Sequence, residues 1–164
     1  MLERILYVTT FTAAVGSGLV AGIFFAFSNF VMPALERVAP ASGIAAMQAI
    51  NVTVINPGFM LAFMGTAVLC LGLALGSWFW LGAWSGKLLL LASLVYLIAC
   101  VGVTMALNVP LNDALAVIQP ETAEAGQLWQ RYLVDWTYWN SVRTAASALA
   151  MVFFMAVLIA RRAG

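Results

Sequence analysis

The chain is predicted to be all-α: an integral membrane four-helix bundle with short extra-membrane helices capping the side of its long connections. Composition is the first reason. Of 164 residues, 65% are hydrophobic and 8% charged, and mean hydropathy is +1.04. A soluble domain is about half apolar and about a quarter charged. The second reason is length. Four apolar stretches, roughly 5–31, 58–80, 87–107 and 141–160, each meet the ~20 residues that a bilayer core demands. The third is the unequal spacing between them, which leaves enough chain on one side to build a cap.

In chain order, residues 5–31 are too long for a signal-peptide core and are read as an uncleaved first span. The connection ASGIAAMQAINVTVI, residues 41–55, mixes apolar and small polar residues and is expected to form a short helix on the bundle. Asn56-Pro57 then starts span two, with Asn as N-cap and Pro at the first helical position. A tight turn around LGAWSG joins spans two and three. Span three is expected to stop at NVPLNDAL, residues 108–115, because Pro110 cannot continue the hydrogen-bond ladder. Pro120, Glu121 and Glu124 mark the next helix start. From there no proline interrupts the chain, so one helix from about 121 to 161 is predicted. At 1.5 Å per residue it is ~60 Å long, and its first half must project beyond the hydrocarbon. The whole chain, 1–164, reads as one domain.

Four spans place both termini and the short turn on one side, with both long connections on the other. Arg4, Lys87, Arg161 and Arg162 lie on the terminal side, against Arg37, Arg131 and Arg143 on the other. The positive-inside rule then puts the termini in the cytoplasm and the long loops outside it. The economical loops suit a bacterial inner membrane. Gly18-x-x-x-Gly22 and Gly72-x-x-x-Gly76 have the spacing that lets helices approach closely, within the bundle or across a homo-oligomer.

Composition also excludes functions. Net charge is +1 with no basic arm, which leaves nucleic-acid binding without support. The chain has no His, so His-ligated haem, iron and copper and the zinc-protease motifs are excluded, and no metal ligands are assigned. Cys70 and Cys100 sit mid-span without a CxxC pair and read as buried small hydrophobes.

Three polar constellations stand out. NVPLNDAL places Asn108, Asn112 and Asp113 at one helix mouth, more hydrogen-bonding side chains than capping needs. In DWTYWNSVR, residues 135–143, a helix brings Trp136, Asn140 and Arg143 to one face and pairs Trp139 with Arg143. Trp129, Tyr132 and Tyr138 read as an interfacial aromatic belt. That belt does not account for Asn140 or Arg143. An arginine where a span enters the membrane either faces the interior and finds a partner, with Asp113 and Asp135 the candidates, or snorkels to the interface. MQAINVTVINP adds Gln48, Asn51 and Asn56, whose amides can both donate and accept. All three constellations lie on the long-loop side. They are expected to line one pocket for a hydrophobic small molecule, walled by Trp, Phe and Met.

FFAFSNFVMPAL in span one, MQAIN and NPGF before span two, NVPLNDAL after span three and W-x-x-W-N-x-x-R at 136–143, in this order, resemble the anthrone oxygenase family of small four-span membrane proteins. The resemblance carries over Asn108, Pro110 and Asn112, and Trp136, Trp139, Asn140 and Arg143. It implies a capped four-helix bundle and a link to oxidation of anthrones to anthraquinones with neither metal nor flavin as cofactor.

Such chemistry needs a base, donors for an enolate oxygen and an aromatic slot. Asp113 or Asp135 is the expected base, with Arg143 also in the catalytic set. Asn108, Asn112, Asn140 or Arg143 would hold the oxyanion, at ~3 kcal/mol per donor. Trp136 and Trp139 would stack on the rings, and Asn51 and Asn56 would complete the binding set. A carboxylate paired with an arginine is a poor base, so the pairing and base roles compete. Two other readings use the same residues: a non-catalytic carrier for a hydrophobic molecule or lipid, and an accessory subunit whose polar groups serve caps and interhelical bonds. A channel is disfavoured because no span carries a polar stripe.

Overall fold

The computed structural model describes residues 1–162. Among them the chain is helical, without strands. Four helices are long and apolar enough to cross a membrane: α1 (Leu2–Glu36), α3 (Pro57–Ser77), α4 (Trp84–Ala116) and the last, α5 (Ala123–Arg162). Between α1 and α3 lies the short helix α2 (Pro40–Thr53). The protein is an integral membrane helical bundle. Arg161 donates to a carboxylate oxygen of Glu3 at 2.8 Å, joining the first and last turns at one end of the bundle.

The sequence expectation of a helix stop at NVPLNDAL is not met. The helix runs through Pro110 to Ala116. A proline ring clashes with the carbonyl four residues earlier and offers it no N–H. Here that carbonyl belongs to Ala106, inside a π-helical stretch, Thr104–Asn108. The wider turn moves the carbonyl off the ring. The same device carries α1 through Pro33, whose conflicting carbonyl, that of Asn29, lies in the π-helical stretch Phe27–Val31. Both helices are therefore longer than the apolar runs alone predict. At 35 and 33 residues they reach ~50 Å, against a core of about 30 Å.

Two apolar cores result. The larger fills the bundle and includes Phe24, Phe63, Tyr96 and Phe154. The smaller lies under the cap, where Ile44 and Met47 of α2 meet Leu115 of α4 and Trp129, Tyr132 and Trp136 of α5. Trp129 and Tyr132 are thus buried and stacked, with centroids 5.6 Å apart. They build the cap rather than an interfacial belt. Tyr138 alone of the three is exposed. Gly43 lets α2 approach this stack, since a Cβ there would lie 2.9 Å from the Trp129 ring and from the Leu35 carbonyl oxygen. Gly18 faces Met151 of α5, whereas Gly22 and Gly72 face open space.

Candidate functional site: a buried arginine at an aromatic cavity

A cavity of about 260 Å³ lies between the two cores. Phe24, Phe27, Phe59, Phe63 and Trp136 supply aromatic walls, and Met47, Met60, Met64 and Met105 supply flexible ones. Its polar lining is Asn51, Thr104, Asn112 and Arg143. Phe59 and Phe63 are one turn apart on α3, and their rings stack with centroids 5.6 Å apart. Behind Phe63, Tyr96 donates its hydroxyl to the Phe63 carbonyl at 3.0 Å.

Arg143 is 4% exposed. Its Nη2 donates to Asn140 Oδ1 at 2.8 Å and its Nη1 to Thr104 Oγ1 at 3.2 Å. Its guanidinium carbon lies 4.1 Å from the Phe24 ring centroid and 5.3 Å from that of Trp136. The buried Nε–H has no acceptor. The ion pair expected with Asp113 or Asp135 is not formed. Among the described residues no carboxylate lies within ion-pair distance of Arg143. A buried cation without a counter-charge is costly, and aromatic faces offset only part of that cost.

Asn140 positions this arginine. It is buried, and its Nδ2 donates to the Phe24 carbonyl at 2.6 Å and to Ser28 Oγ at 2.7 Å. Both α1 acceptors hold the amide so that its Oδ1 faces the guanidinium. The i, i+3 spacing on α5 brings the two side chains together.

Asn112 organises the opposite wall. Its Oδ1 accepts from the Tyr132 hydroxyl and from Trp136 Nε1, each at 2.8 Å. With Oδ1 occupied, Nδ2 is the group that Asn112 has left to offer the cavity. Asn51 Nδ2 reaches the same Tyr132 hydroxyl at 3.4 Å. Tyr132, stacked between Trp129 and Trp136, is a site residue that the aromatic-belt expectation misses. Its i, i+4 spacing to Trp136 was the available signal. Phe24 and Thr104, which flank Arg143, lie in apolar runs that offered none.

The remaining candidates lie apart from the cavity. Asp113 and Asp135 are exposed, and neither lines it. Asn56 is exposed and serves as the N-cap, its Oδ1 accepting from the Phe59 N–H at 3.0 Å. Asn108 is buried but caps nothing. Its Nδ2 donates to the Trp136 carbonyl at 3.1 Å, tying α4 to α5. Trp139 packs edge-on to Tyr138 and does not line the cavity, and the rings beside Arg143 are those of Phe24 and Trp136. Gln48 donates to the carbonyls of Leu115 and Ile118 at 2.8 and 3.0 Å, satisfying the free end of α4.

The fold and site define a membrane-spanning helical bundle with a buried arginine lining an aromatic cavity. The model of one family, anthrone oxygenase, matches residues 59–153, more than half of the chain and most of the cavity wall. The chain belongs to the anthrone oxygenase family. No curated protein and no solved structure matches it.

Proposed function

We propose that the protein is a membrane-embedded, cofactor-independent oxygenase that binds an anthrone-like lipophilic arene and holds its enolate oxygen against Arg143. The observation that carries this reading is the buried, carboxylate-free guanidinium facing an aromatic cavity. Family membership agrees with it. An enolate oxygen would supply the missing counter-charge, and the attraction is strong where water is excluded.

The reaction balances without a further co-reactant. Loss of the acidic C–H proton gives an extended enolate, whose electrons reduce dioxygen as the new C–O bond forms. Loss of water from the resulting hydroperoxide leaves the quinone. One anthrone and one dioxygen give one anthraquinone and one water. In this scheme Arg143 stabilises the anion, Asn112 Nδ2 is a second donor, and Phe59, Phe63 and Trp136 bracket the rings. Asn140 and Tyr132 are positioning residues. With Asp113 and Asp135 exposed and outside the lining, the proton does not pass to a cavity carboxylate.

The lack of a carboxylate in the lining favours one other reading, a non-catalytic carrier using the same cavity. An accessory subunit calls for a filled mouth, and the cavity counts against it. The charge bias of Arg4, Lys87, Arg161 and Arg162 supports cytoplasmic termini in a bacterial inner membrane.

The test is oxygen uptake by the purified protein with anthrone, beside a protein-free blank. Uptake well above the blank, abolished in Arg143→Ala and retained in Asp113→Asn and Asp135→Asn, is expected. Uptake at the blank level from folded protein would overturn the oxygenase reading and leave the carrier.

A further inference from the structure

We propose that the cavity is entered sideways, from the bilayer, through a gap between α3 and α4, by a bilayer-dissolved arene with an ionisable oxygen. The ligand class rests on the reading of Arg143 above. The route rests on geometry alone.

Most of the end of the cavity nearest water is covered. α2 lies across it, with Met47 buried beneath and Gln48 anchored to the end of α4. The Asn51–Tyr132–Asn112 bonds continue that cover onto α5. On the α1–α5 side, Asn140 is bonded to the Phe24 carbonyl and closes the wall. Toward the middle of the bundle Phe63 lines the cavity, with Tyr96 packed and bonded behind it.

The remaining side is open. Lining residues Met64 and Met105 are 41% and 61% exposed, and Ile55, at the α2–α3 connection above them, is 73% exposed. Met64 lies on α3 and Met105 on α4, and their outer faces continue into the exposed apolar Leu61, Val68 and Ile98. Lipid is the solvent for such a surface.

The backbone explains the gap. Near the short turn, α3 and α4 pack directly on one another. At the level of the cavity both are π-helical, over Leu61–Gly65 and Thr104–Asn108, α4 continuing from an earlier π-helical stretch, Val95–Gly102, that still contacts α3. There the α3 stretch packs on α1 and the α4 stretch on α5. The two helices thus separate toward the cap. Methionine suits the edges of such a gap because its unbranched side chain adapts to the shape that passes. A flat neutral arene dissolved in lipid enters between Met64 and Met105 and brings its oxygen to Arg143 at the inner end.

The experiment places a nitroxide inside the cavity. Ile50→Cys, in a Cys70→Ala/Cys100→Ser background, is spin-labelled and the full chain is reconstituted in lipid nanodiscs. If that variant does not fold, Val54→Cys carries the label on the same wall. Collision with dioxygen, which concentrates in hydrocarbon, is compared with collision with a water-confined nickel chelate. The expected result is oxygen access well above chelate access, reduced several-fold by Met105→Trp. Chelate access in excess of oxygen access, or indifference to Met105→Trp, would overturn the route. Anthrone added to the nanodiscs should then immobilise the label, and not in Arg143→Ala. A label open to oxygen but unmoved by anthrone would overturn the ligand class separately.

Discussion

Arg143 lies over the ring of Phe24, with its guanidinium carbon 4.1 Å from the ring centroid. The aromatic face attracts the cation without cancelling its charge. Asn140 and Thr104 likewise accept hydrogen bonds from it as neutral groups. The arginine is thus fixed in direction while its positive field still reaches the cavity. A carboxylate in place of any of the three would have neutralised it. This separates Arg143 from an interhelical ion pair and is what the proposed anion-binding role requires.

Arg143→Met should therefore divide stability from function. Met keeps much of the length and packing and removes an uncompensated buried charge, which offsets the about 1–3 kcal/mol cost of leaving Asn140 Oδ1 without its donor. The midpoint of thermal unfolding in detergent should hold or rise. Anthrone-dependent oxygen uptake should fall by about 10²–10³, the loss typical of one oxyanion donor. A fall in both together would show that Arg143 is structural.

Asn56→Ala should do the reverse. Its amide is bonded to the Phe59 N–H and the Thr53 carbonyl, outside the cavity. Loss of an N-cap costs about 1 kcal/mol. Unfolding should shift by that amount with KM for anthrone unchanged. A raised KM in a protein of unaltered stability would return Asn56 to the binding set.

Much of this was legible in sequence because bilayer physics is coarse. Runs of about twenty apolar residues must be helices, and Asn56-Pro57 starts α3 because capping is local. Trp136, Asn140 and Arg143 share a face by helical spacing alone. Where the sequence misled, the cause was non-local. Pro110 predicted a stop, yet a π-helical turn upstream absorbed its clash. Asp113 and Asp135 were natural partners for Arg143 by charge, but they occur on exposed faces of α4 and α5. The actual neighbours, Phe24 and Thr104, come from α1 and α4, and only the crossing of three helices brings them together. Tyr132 resembled a lipid-facing aromatic until α2 covered it.

Asn112 offers a test that separates its two faces. Asn112→Leu strands two buried donors, the Tyr132 hydroxyl and Trp136 Nε1–H, at about 1–3 kcal/mol each. It should lower the unfolding midpoint and weaken activity through a misplaced indole. Asn112→Asp keeps the acceptor for both donors but brings a negative charge to the cavity. It should unfold near the parent midpoint and still lose anthrone oxidation. Equal activity in Asn112→Asp and the parent would mean that no anion forms beside this wall.

The sharpest prediction concerns Thr104, whose hydroxyl is 3.2 Å from Arg143 Nη1. Thr104→Asp supplies the carboxylate that the arginine lacks. A close buried ion pair recovers much of the desolvation cost of its members when both are present, so the variant should fold, with an unfolding midpoint at or near that of the parent. With its charge paired internally, Arg143 should no longer attract an enolate. Oxidation should fall about as far as in Arg143→Met. Adding Arg143→Met to Thr104→Asp should then cost no further activity but should destabilise, because the aspartate is left buried and alone. Non-additivity in activity, with opposite behaviour in stability, is the signature of a free positive charge as the functional element. If Thr104→Asp retained full activity in a folded protein, the unpaired charge of Arg143 would have no part in the reaction.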